Sequence, residues 1–338
     1  MRLHLHLTDL VGLGDDNSPA PDADTVASMH DAPPRRLLLA TLACVAAAAC
    51  WAANAVIAAD AFERGVTPER LAETRVLVAL VPLLGFLLIA RRDLLRAPRA
   101  AAPWIVGFGV CMVAVNYAYY VAIDRVAVGV AISLQYTAPV LILAATALLA
   151  RSAPQRVTWV AGALTLAGAI LVSGALASGG VALDAVGLVA GIASAITYAG
   201  YLVTAAAAGQ RGSHPATTLV LGFAAATFAW AVILPFWTWP FHLLADVEVA
   251  WRVLAVGLLG TLIPFALTVW ALRILSSAVA GIATTTEPVL AAVLAWIFLH
   301  QALTLQQLIG GGLVVAGVLV AQAVPAPRGA SVPVGSTR

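Results

Sequence analysis

The sequence predicts an all-α integral membrane protein whose ten transmembrane helices form two inverted five-helix repeats. Composition gives the membrane assignment: 62% of residues are hydrophobic, 10% are charged, and the mean hydropathy is +0.97. Soluble domains carry about 25% charged residues. The apolar runs are ~18–24 residues long, as a helix needs to cross ~30 Å of hydrocarbon. The ~10-residue alternating strands of a membrane barrel are not visible, so the spans are predicted to be helices.

Ten apolar segments follow one another along the chain, and Pro, Gly, Asp or Arg marks most of the short loops between them. The segments run over residues 37–59, 71–90, 102–122, 127–150, 157–175, 185–207, 215–236, 250–271, 276–299 and 304–323. The polar stretches 1–34 and 325–338 are predicted to be disordered tails.

Arginine placement predicts the orientation. With the N-terminus inside, eleven arginines fall on the cytoplasmic side, at positions 35, 36, 91, 92, 96, 99, 151, 156, 211, 273 and 328. Four lie near the opposite face, at positions 64, 70, 125 and 252. This positive-inside bias predicts a multi-pass membrane protein with both termini cytoplasmic.

Two stretches 149 positions apart are similar, namely Ala127–Val172 and Ser276–Ala321. Pro139 falls on Pro288, and Gly162 and Gly168 fall on Gly311 and Gly317. Proline and glycine matches are informative because both residue types constrain the backbone. We therefore predict homologous halves over residues 35–176 and 177–324. Five spans in each half make the repeat inverted, and inverted halves predict transport by alternating access.

Several function classes are excluded or disfavoured. All 18 basic residues are arginines, so there is no lysine for Schiff-base chemistry or for a phosphate-binding Gly-Lys-Ser/Thr loop. The histidines are scattered over tails and span ends, and neither H-E-x-x-H nor G-x-S-x-G occurs. Cys44, Cys50 and Cys111 lie inside apolar runs and read as small core residues. We expect no enzyme activity, no catalytic residues, no cofactor, no metal site and no nucleic-acid partner.

Glu287 is the sharpest candidate for a functional residue. A carboxylate near the middle of a span costs ~2.5–3.5 kcal/mol on insertion scales. It can serve proton coupling or substrate contact, or it can tie a broken helix to its neighbour. Pro288 follows it, and Pro139 marks the same position in the first half, so we predict helix breaks at both prolines. Ala138 stands where the first half would carry the acid, which makes the halves chemically unequal.

Polar and aromatic residues inside the other spans are candidates for a substrate cavity, because polar groups in lipid must find partners. Arg75 can contact an anion, pair with Asp60, Glu63 or Glu73, or extend to the lipid headgroups. The cavity set comprises Trp51, Asn54, Asn116, Tyr120, Gln135, Tyr136, Tyr198, Tyr201, Trp270 and Thr285.

A family resemblance rests on the same residues. The run TTTEPVLAAVLAWIFLHQALTLQQLIGGGLVVAGVLV resembles the last two helices of the EamA-type ten-helix permeases, in the drug/metabolite transporter superfamily. GLLGTLIPFALTVWALRIL resembles the helix before them, and QYTAPVLILAATALL resembles the matching part of the first half. The chain departs from the family where a Gly-Glu pair usually ends spans 4 and 9. Arg151-Ser152 and His300-Gln301 stand there instead.

The resemblance implies an inner-membrane exporter of amino acids, related metabolites or toxic small molecules, often driven by the proton gradient. Its partners would be a small-molecule substrate, the lipid bilayer and protons, while the choice between monomer and homodimer stays open. A nucleotide-sugar carrier is the nearest alternative, although phosphates call for several basic groups. A membrane-embedded enzyme and a channel-like scaffold are alternatives from other classes.

Overall fold

The fold is known from a computed structural model that describes residues 34–126, 128–150, 155–172, 184–299 and 304–322. Within these residues the regular structure is helical. The helices are α1 (Pro34–Glu63), α2 (Pro68–Ala90), α3 (Ala102–Arg125), α4 (Val128–Gln135), α5 (Ala138–Ala150), α6 (Arg156–Val172), α7 (Ala185–Gln210), α8 (Pro215–Ile233), α9 (Val247–Gly257), α10 (Ile263–Ala271), α11 (Ser277–Thr284), α12 (Glu287–Leu299) and α13 (Leu305–Gln322). A π-helical turn, Leu258–Leu262, joins α9 to α10. The predicted tails and the two Gly-Glu replacement sites lie outside the described residues, apart from Pro34.

Helix length and apolarity support a membrane protein. In the part of the chain that the structure describes, seven helical stretches are long and apolar enough to cross a membrane. They are Pro34–Glu63, Pro68–Ala90, Arg99–Arg125, Ala185–Gln210, Pro215–Ile233, Val247–Ala271 and Ser277–Leu294. Shorter apolar helices cover Val130–Ala145, Arg156–Val172 and Leu305–Ala321. An all-helical, multi-pass architecture follows, and the count of ten spans stays a prediction.

The helix boundaries repeat along the chain. Helices α4 and α5 begin and end 149 positions before α11 and α12, and α6 begins 149 positions before α13. The break between α4 and α5 therefore falls at the same repeat position as the break between α11 and α12. Sequence identity between the halves is low, but the positions at which the backbone leaves the helix coincide.

The last helices of the two halves, α6 and α13, pack closely against each other at glycines. A Cβ atom added to Gly168 of α6 would lie 2.5 Å from the Gly310 carbonyl oxygen and 2.7 Å from the Val314 nitrogen. A Cβ atom added to Gly317 of α13 would lie 2.8 Å from the Ala161 carbonyl oxygen. Gly168 and Gly317 occupy equivalent repeat positions, and each of them lies against the backbone of the other helix. Small residues permit this approach, as is usual between membrane helices.

The core lies between α1, α2 and α3 of the first half and α7, α8 and α10 of the second. Its largest buried side chains are aromatic and include Tyr120, Tyr201, Phe108 and Phe223. These rings pack mostly edge-on or tilted, with Phe223 and Phe265 of α10 meeting at 6.4 Å. A polar cavity lies in this aromatic surround, near the point where the two broken helices meet.

Candidate functional site

The two helix breaks bring the unpaired acid into contact with the other half. Each break spans two residues, and Pro139 and Pro288 are each the second residue of the helix that follows. Proline is tolerated there because the first turn of a helix needs no amide donor. Tyr136, in the first break, donates a short hydrogen bond from its hydroxyl to Oε2 of Glu287. Residues from equivalent breaks thus meet at one point in the core.

Three threonines close the end of α11 just before Glu287. The Thr284 and Thr285 hydroxyls both donate to the Gly281 carbonyl, each at 2.9 Å. The Thr286 hydroxyl donates to the Ala283 carbonyl at 2.9 Å. The Gly281 and Ala283 carbonyls also accept from the Thr285 and Thr286 amides, at 3.2 and 3.3 Å, so the hydroxyls add second donors to the last carbonyls before the break. Thr285 is fully buried, and its hydroxyl is hydrogen-bonded to a backbone carbonyl.

Arg75 is buried among neutral oxygen atoms. Its Nε donates to the Thr261 hydroxyl at 2.7 Å, its Nη1 to the Tyr120 hydroxyl at 2.8 Å, and its Nη2 to the Gly260 carbonyl by a short bond. Gly260 is four residues before Pro264, which has no amide hydrogen, so that carbonyl has no α-helical donor. The π-helical turn therefore presents an acceptor, and Arg75 fills it.

The pairing considered for Arg75 with nearby carboxylates does not occur. Among the described residues no carboxylate lies within 4.0 Å of its guanidinium. Asp60 binds Arg64 and Arg252, and Glu73 binds Arg70 at 2.9 Å. Arg75 is 2% exposed, which also rules out extension to the headgroups. The physical reason is the Gly260 carbonyl, which has no α-helical donor and offers Arg75 a neutral partner in the core.

A cavity of about 40 Å³ lies between Arg75 and Glu287. One water molecule needs about 10–15 Å³ and drug-sized ligands occupy about 300–1,000 Å³, so the space holds only a few waters in this conformation. Glu287 and Arg75 are the charged residues of its wall. The lining residues are Trp51, Asn54, Arg75, Val115, Asn116, Tyr119, Gln135, Tyr198, Phe265 and Glu287.

Polar atoms on this wall differ in how fully they are bonded. The Asn116 amide donates to the Met112 carbonyl at 2.6 Å, and the Ser194 hydroxyl donates to Oε1 of Gln135 at 2.5 Å. Among the described residues, Oδ1 of Asn54 and the Tyr119 hydroxyl have no hydrogen-bond partner. Buried polar groups normally have one, so these two atoms are candidates to bind water or a solute.

Aromatic rings form the apolar side of the cavity. The Trp51 ring lies edge-on to Tyr198, with centroids 6.2 Å apart, and to Phe265 at 5.4 Å. Tyr198 is held in place because its hydroxyl donates to the Thr284 hydroxyl at 2.8 Å. These ring contacts restrict the rotation of the aromatic side chains, and they bring residues of both halves against one cavity.

The predicted cavity residues divide into three groups. Five of them, Trp51, Asn54, Asn116, Gln135 and Tyr198, line the cavity. Tyr120, Tyr136 and Tyr201 are buried just behind the wall, where Tyr120 binds Arg75 and Tyr136 binds Glu287. Thr285 and Trp270 do not line it. Trp270 is 41% exposed and lies on the outer surface of the bundle, away from the cavity.

Three wall residues were not predicted: Val115, Tyr119 and Phe265. Tyr119 could have been found, because it follows Asn116 by three residues and so shares its helix face. Val115 and Phe265 carry no such signal in a sequence this apolar. Gly260 was also missed as the partner of Arg75, although its spacing from Pro264 was readable.

Comparisons with known proteins assign the fold to a family. The sequence profile of the EamA-like transporter family matches residues 38–174 and again residues 185–322. The threonine/homoserine exporter RhtA of Escherichia coli (strain K12) is 29% identical over 215 residues, which are 62% of this chain and 67% of that exporter. An uncharacterized transporter of Synechocystis sp. is 32% identical over 203 residues, which are 58% of this chain and 59% of that protein.

One solved structure, described as "Crystal structure of protein", has a TM-score of 0.66 at 20% sequence identity. The match covers 83% of this chain and 96% of that one, and it shows likeness of fold. The family profile covers well over half of the chain, in two successive stretches. With its apolar helices, its paired helix breaks and this double match, the chain belongs to the EamA-like transporter family of membrane proteins.

Proposed function

We propose that this chain is a secondary active transporter that exports small metabolites by alternating access, with Glu287 as the group that carries a proton or contacts the substrate. The observation that supports this best is the position of Glu287. Glu287 is 4% exposed, lies on the cavity wall, and among the described residues forms no ion pair within 4.0 Å. A carboxyl group with no ion pair is energetically costly to place inside a membrane helix bundle, and this cost favours a functional role for Glu287.

The proposed topology has ten spans in two inverted halves, with both termini cytoplasmic in the inner membrane. The 149-residue repeat of the helix boundaries supports two homologous halves, as does the double family match. The contacts between the halves support the inversion: Arg70, in the first turn of α2, bonds to Thr238 of the α8–α9 loop. Thr217, in the first turn of the repeat-equivalent helix α8, bonds instead to Leu94 at the other end of α2. When two such halves exchange their conformations, one cavity opens to each side of the membrane in turn.

The proposed substrates are small and polar, such as amino acids and related compounds, or toxic small molecules. One carboxylate and one guanidinium on opposite parts of one wall suit a solute that carries both signs of charge. The exporter RhtA, similar to this chain, is named for threonine and homoserine, which are solutes of that kind. A nucleotide sugar fits less well, because Arg75 is the one cation among the described residues of the wall and three of its donors are already engaged.

The test is solute flux into proteoliposomes, with and without an imposed pH gradient, across a panel of labelled amino acids and amphipathic toxic compounds. We expect at least one solute to move faster with the gradient, and Glu287→Gln to abolish that increase. Glu63→Gln is the matched control, because it makes the same chemical change at an exposed position outside the cavity.

Two results would count against the proposal. If no solute in the panel moves, the transport assignment to these solute classes fails. If Glu287→Gln responds to the gradient as the wild type does, Glu287 has no coupling role and only ties the α11–α12 break to Tyr136.

A further inference from the structure

Two sets of loops meet at opposite ends of the bundle, and each set joins the two halves. At the Asp60 face, residues 60–70 meet residues 236–252. At the Trp104 face, residues 91–104 meet residues 211–217. Helix α2 runs from the first face to the second over 23 residues, so the faces lie at opposite ends of the molecule.

Charged side chains make the contacts at the Asp60 face. Arg252 of α9 forms a short ion pair with Asp60 of α1, and its Nη1 also contacts Glu248 at 2.6 Å. Arg70 of α2 donates to the Thr238 hydroxyl at 2.6 Å and to its carbonyl at 3.0 Å. Helices α1 and α2 of the first half are thus in contact with α9 and with the loop before it, in the second half.

A further ion pair joins the halves at the same face. Arg125 ends α3, which begins beside Trp104 and crosses the bundle, so Arg125 lies at the Asp60 face. Its Nη1 is 3.8 Å from Asp184, the residue before α7. Both side chains are partly exposed, and at this separation the pair adds less than the Asp60–Arg252 contact.

A cation–π contact and a neutral hydrogen bond join the halves at the Trp104 face. The guanidinium of Arg211, after α7, lies 4.3 Å from the centre of the Trp104 ring of α3. The Thr217 hydroxyl donates to the Leu94 carbonyl at 2.7 Å. Here too a residue of each half is in contact with a residue of the other, but among these contacts no carboxylate takes part.

The two sets occupy equivalent places in the repeat. Arg211 is equivalent in the repeat to position 62, which is two residues after Asp60. Trp104 is equivalent to position 253, which is next to Arg252. Repeat-equivalent points are therefore closed by an ion pair at one end and by a cation–π contact at the other. Both sets are formed at once, and the cavity between them has room for only a few waters.

We propose that the Asp60–Arg252 pair and the Trp104–Arg211 pair are the two gates of the cavity, the ionic gate on the outside and the aromatic gate on the cytoplasmic side. This rests on the proposed alternating access and on the proposed orientation. Asp60 is partly exposed although Arg252 is buried, and Trp104 and Arg211 are half-buried, so water reaches and screens a partner of each contact. Contacts screened in this way are weak, and each gate can open without unfolding the bundle. Loss of one contact shifts the balance between the two open forms by roughly two- to five-fold.

The test measures which side can reach the cavity, and it needs no substrate. In a background with Cys44, Cys50 and Cys111 replaced by alanine, Val115→Cys places one thiol on the cavity wall. A membrane-impermeant maleimide is applied to right-side-out and to inside-out vesicles. Arg252→Gln is expected to raise labelling in right-side-out vesicles about two- to five-fold and to lower it in inside-out vesicles. Trp104→Leu is expected to do the reverse.

Conservative variants and a matched surface variant supply the controls. Arg252→Lys and Trp104→Phe keep the charge or the ring and should label nearly as the wild type does. Arg156→Gln makes the same change as Arg252→Gln at an exposed position at the start of α6, outside both sets of loops. It should leave labelling from either side unchanged. If Arg252→Gln does not accumulate in the membrane, Asp60→Asn removes the same contact and leaves Arg252 with Glu248.

The outcomes separate the gates from the transport assignment. If Arg252→Gln and Trp104→Leu leave the ratio of labelling unchanged, or shift it in the same direction, the gate proposal is overturned even where flux is observed. Opposite shifts support the gates even where no panel solute moves, in which case the proposed function fails alone. If Arg252→Gln raises labelling in inside-out vesicles and Trp104→Leu raises it in right-side-out vesicles, both gates are supported. The ionic gate then lies on the cytoplasmic side, and the proposed placing is overturned.

Discussion

The close contact between α6 and α13 yields a prediction about stability that can be worked from the structure. In Gly317→Ala the new methyl group would lie 2.6 Å from Cγ2 of Thr165, 2.8 Å from the Ala161 carbonyl oxygen and 3.0 Å from the Thr165 nitrogen. Two of these three atoms belong to the backbone of α6 and cannot rotate away. The helices must therefore move apart to accept the methyl group.

The expected magnitude combines two opposing terms. Overpacking costs about 1–3 kcal/mol, and the backbone contacts put this site near the upper end. Replacing glycine by alanine in a helix returns about 1 kcal/mol, so the net loss in free energy of unfolding is about 2 kcal/mol. Gly312→Ala in the same helix meets no atom within 4 Å, and it should gain about 1 kcal/mol instead.

The two variants should thus differ by about 3 kcal/mol, measured by denaturant titration in detergent micelles with tryptophan fluorescence as the signal. Gly168→Ala, at the equivalent repeat position, should lose stability as Gly317→Ala does, because its methyl group would meet the backbone of α13. The reasoning is refuted if Gly317→Ala proves as stable as Gly312→Ala.

Two further predictions concern the cavity. Tyr136→Phe keeps the ring beside Tyr198 but removes the hydroxyl that donates to Glu287, and a hydrogen bond to a charged group is worth about 1.5–3 kcal/mol. Gradient-driven flux in proteoliposomes should fall at least about ten-fold, and unaltered flux would show that the bond has no part in transport. Trp51→Leu, on the wall, should raise the solute concentration that gives half-maximal flux. Trp270→Leu, on the outer surface, should not, and equal effects of the two variants would contradict the described cavity.

Features with a local cause could be predicted from the sequence. Long apolar runs must form helices in lipid, since only internal hydrogen bonding satisfies the backbone there. Pro139 and Pro288 remove an amide donor, and a helix break precedes each of them. Gly168 and Gly317 were recognised as repeat positions, and both lie at the closest approach of α6 and α13.

Features that depend on which helix face packs inward could not be predicted as well. In a soluble helix a polar stripe marks the outer face, but lipid tails are as apolar as a protein core, so the contrast between faces is weak. Trp270 and Phe265 share one short helix, yet Phe265 lines the cavity and Trp270 lies on the outer surface. Nothing in their residue types separates them.

The sequence by itself determined the membrane environment, the helices, the 149-residue repeat, the family resemblance and the single acid opposite Ala138. Each of these follows from composition or from backbone constraints at a known position. Only the tertiary structure decided that Tyr136 meets Glu287, that Arg75 binds the Gly260 carbonyl instead of a carboxylate, and that equivalent loops close opposite ends with different chemistry. These contacts join residues far apart in the chain, and the packing of helices, which no local pattern encodes, brings them together.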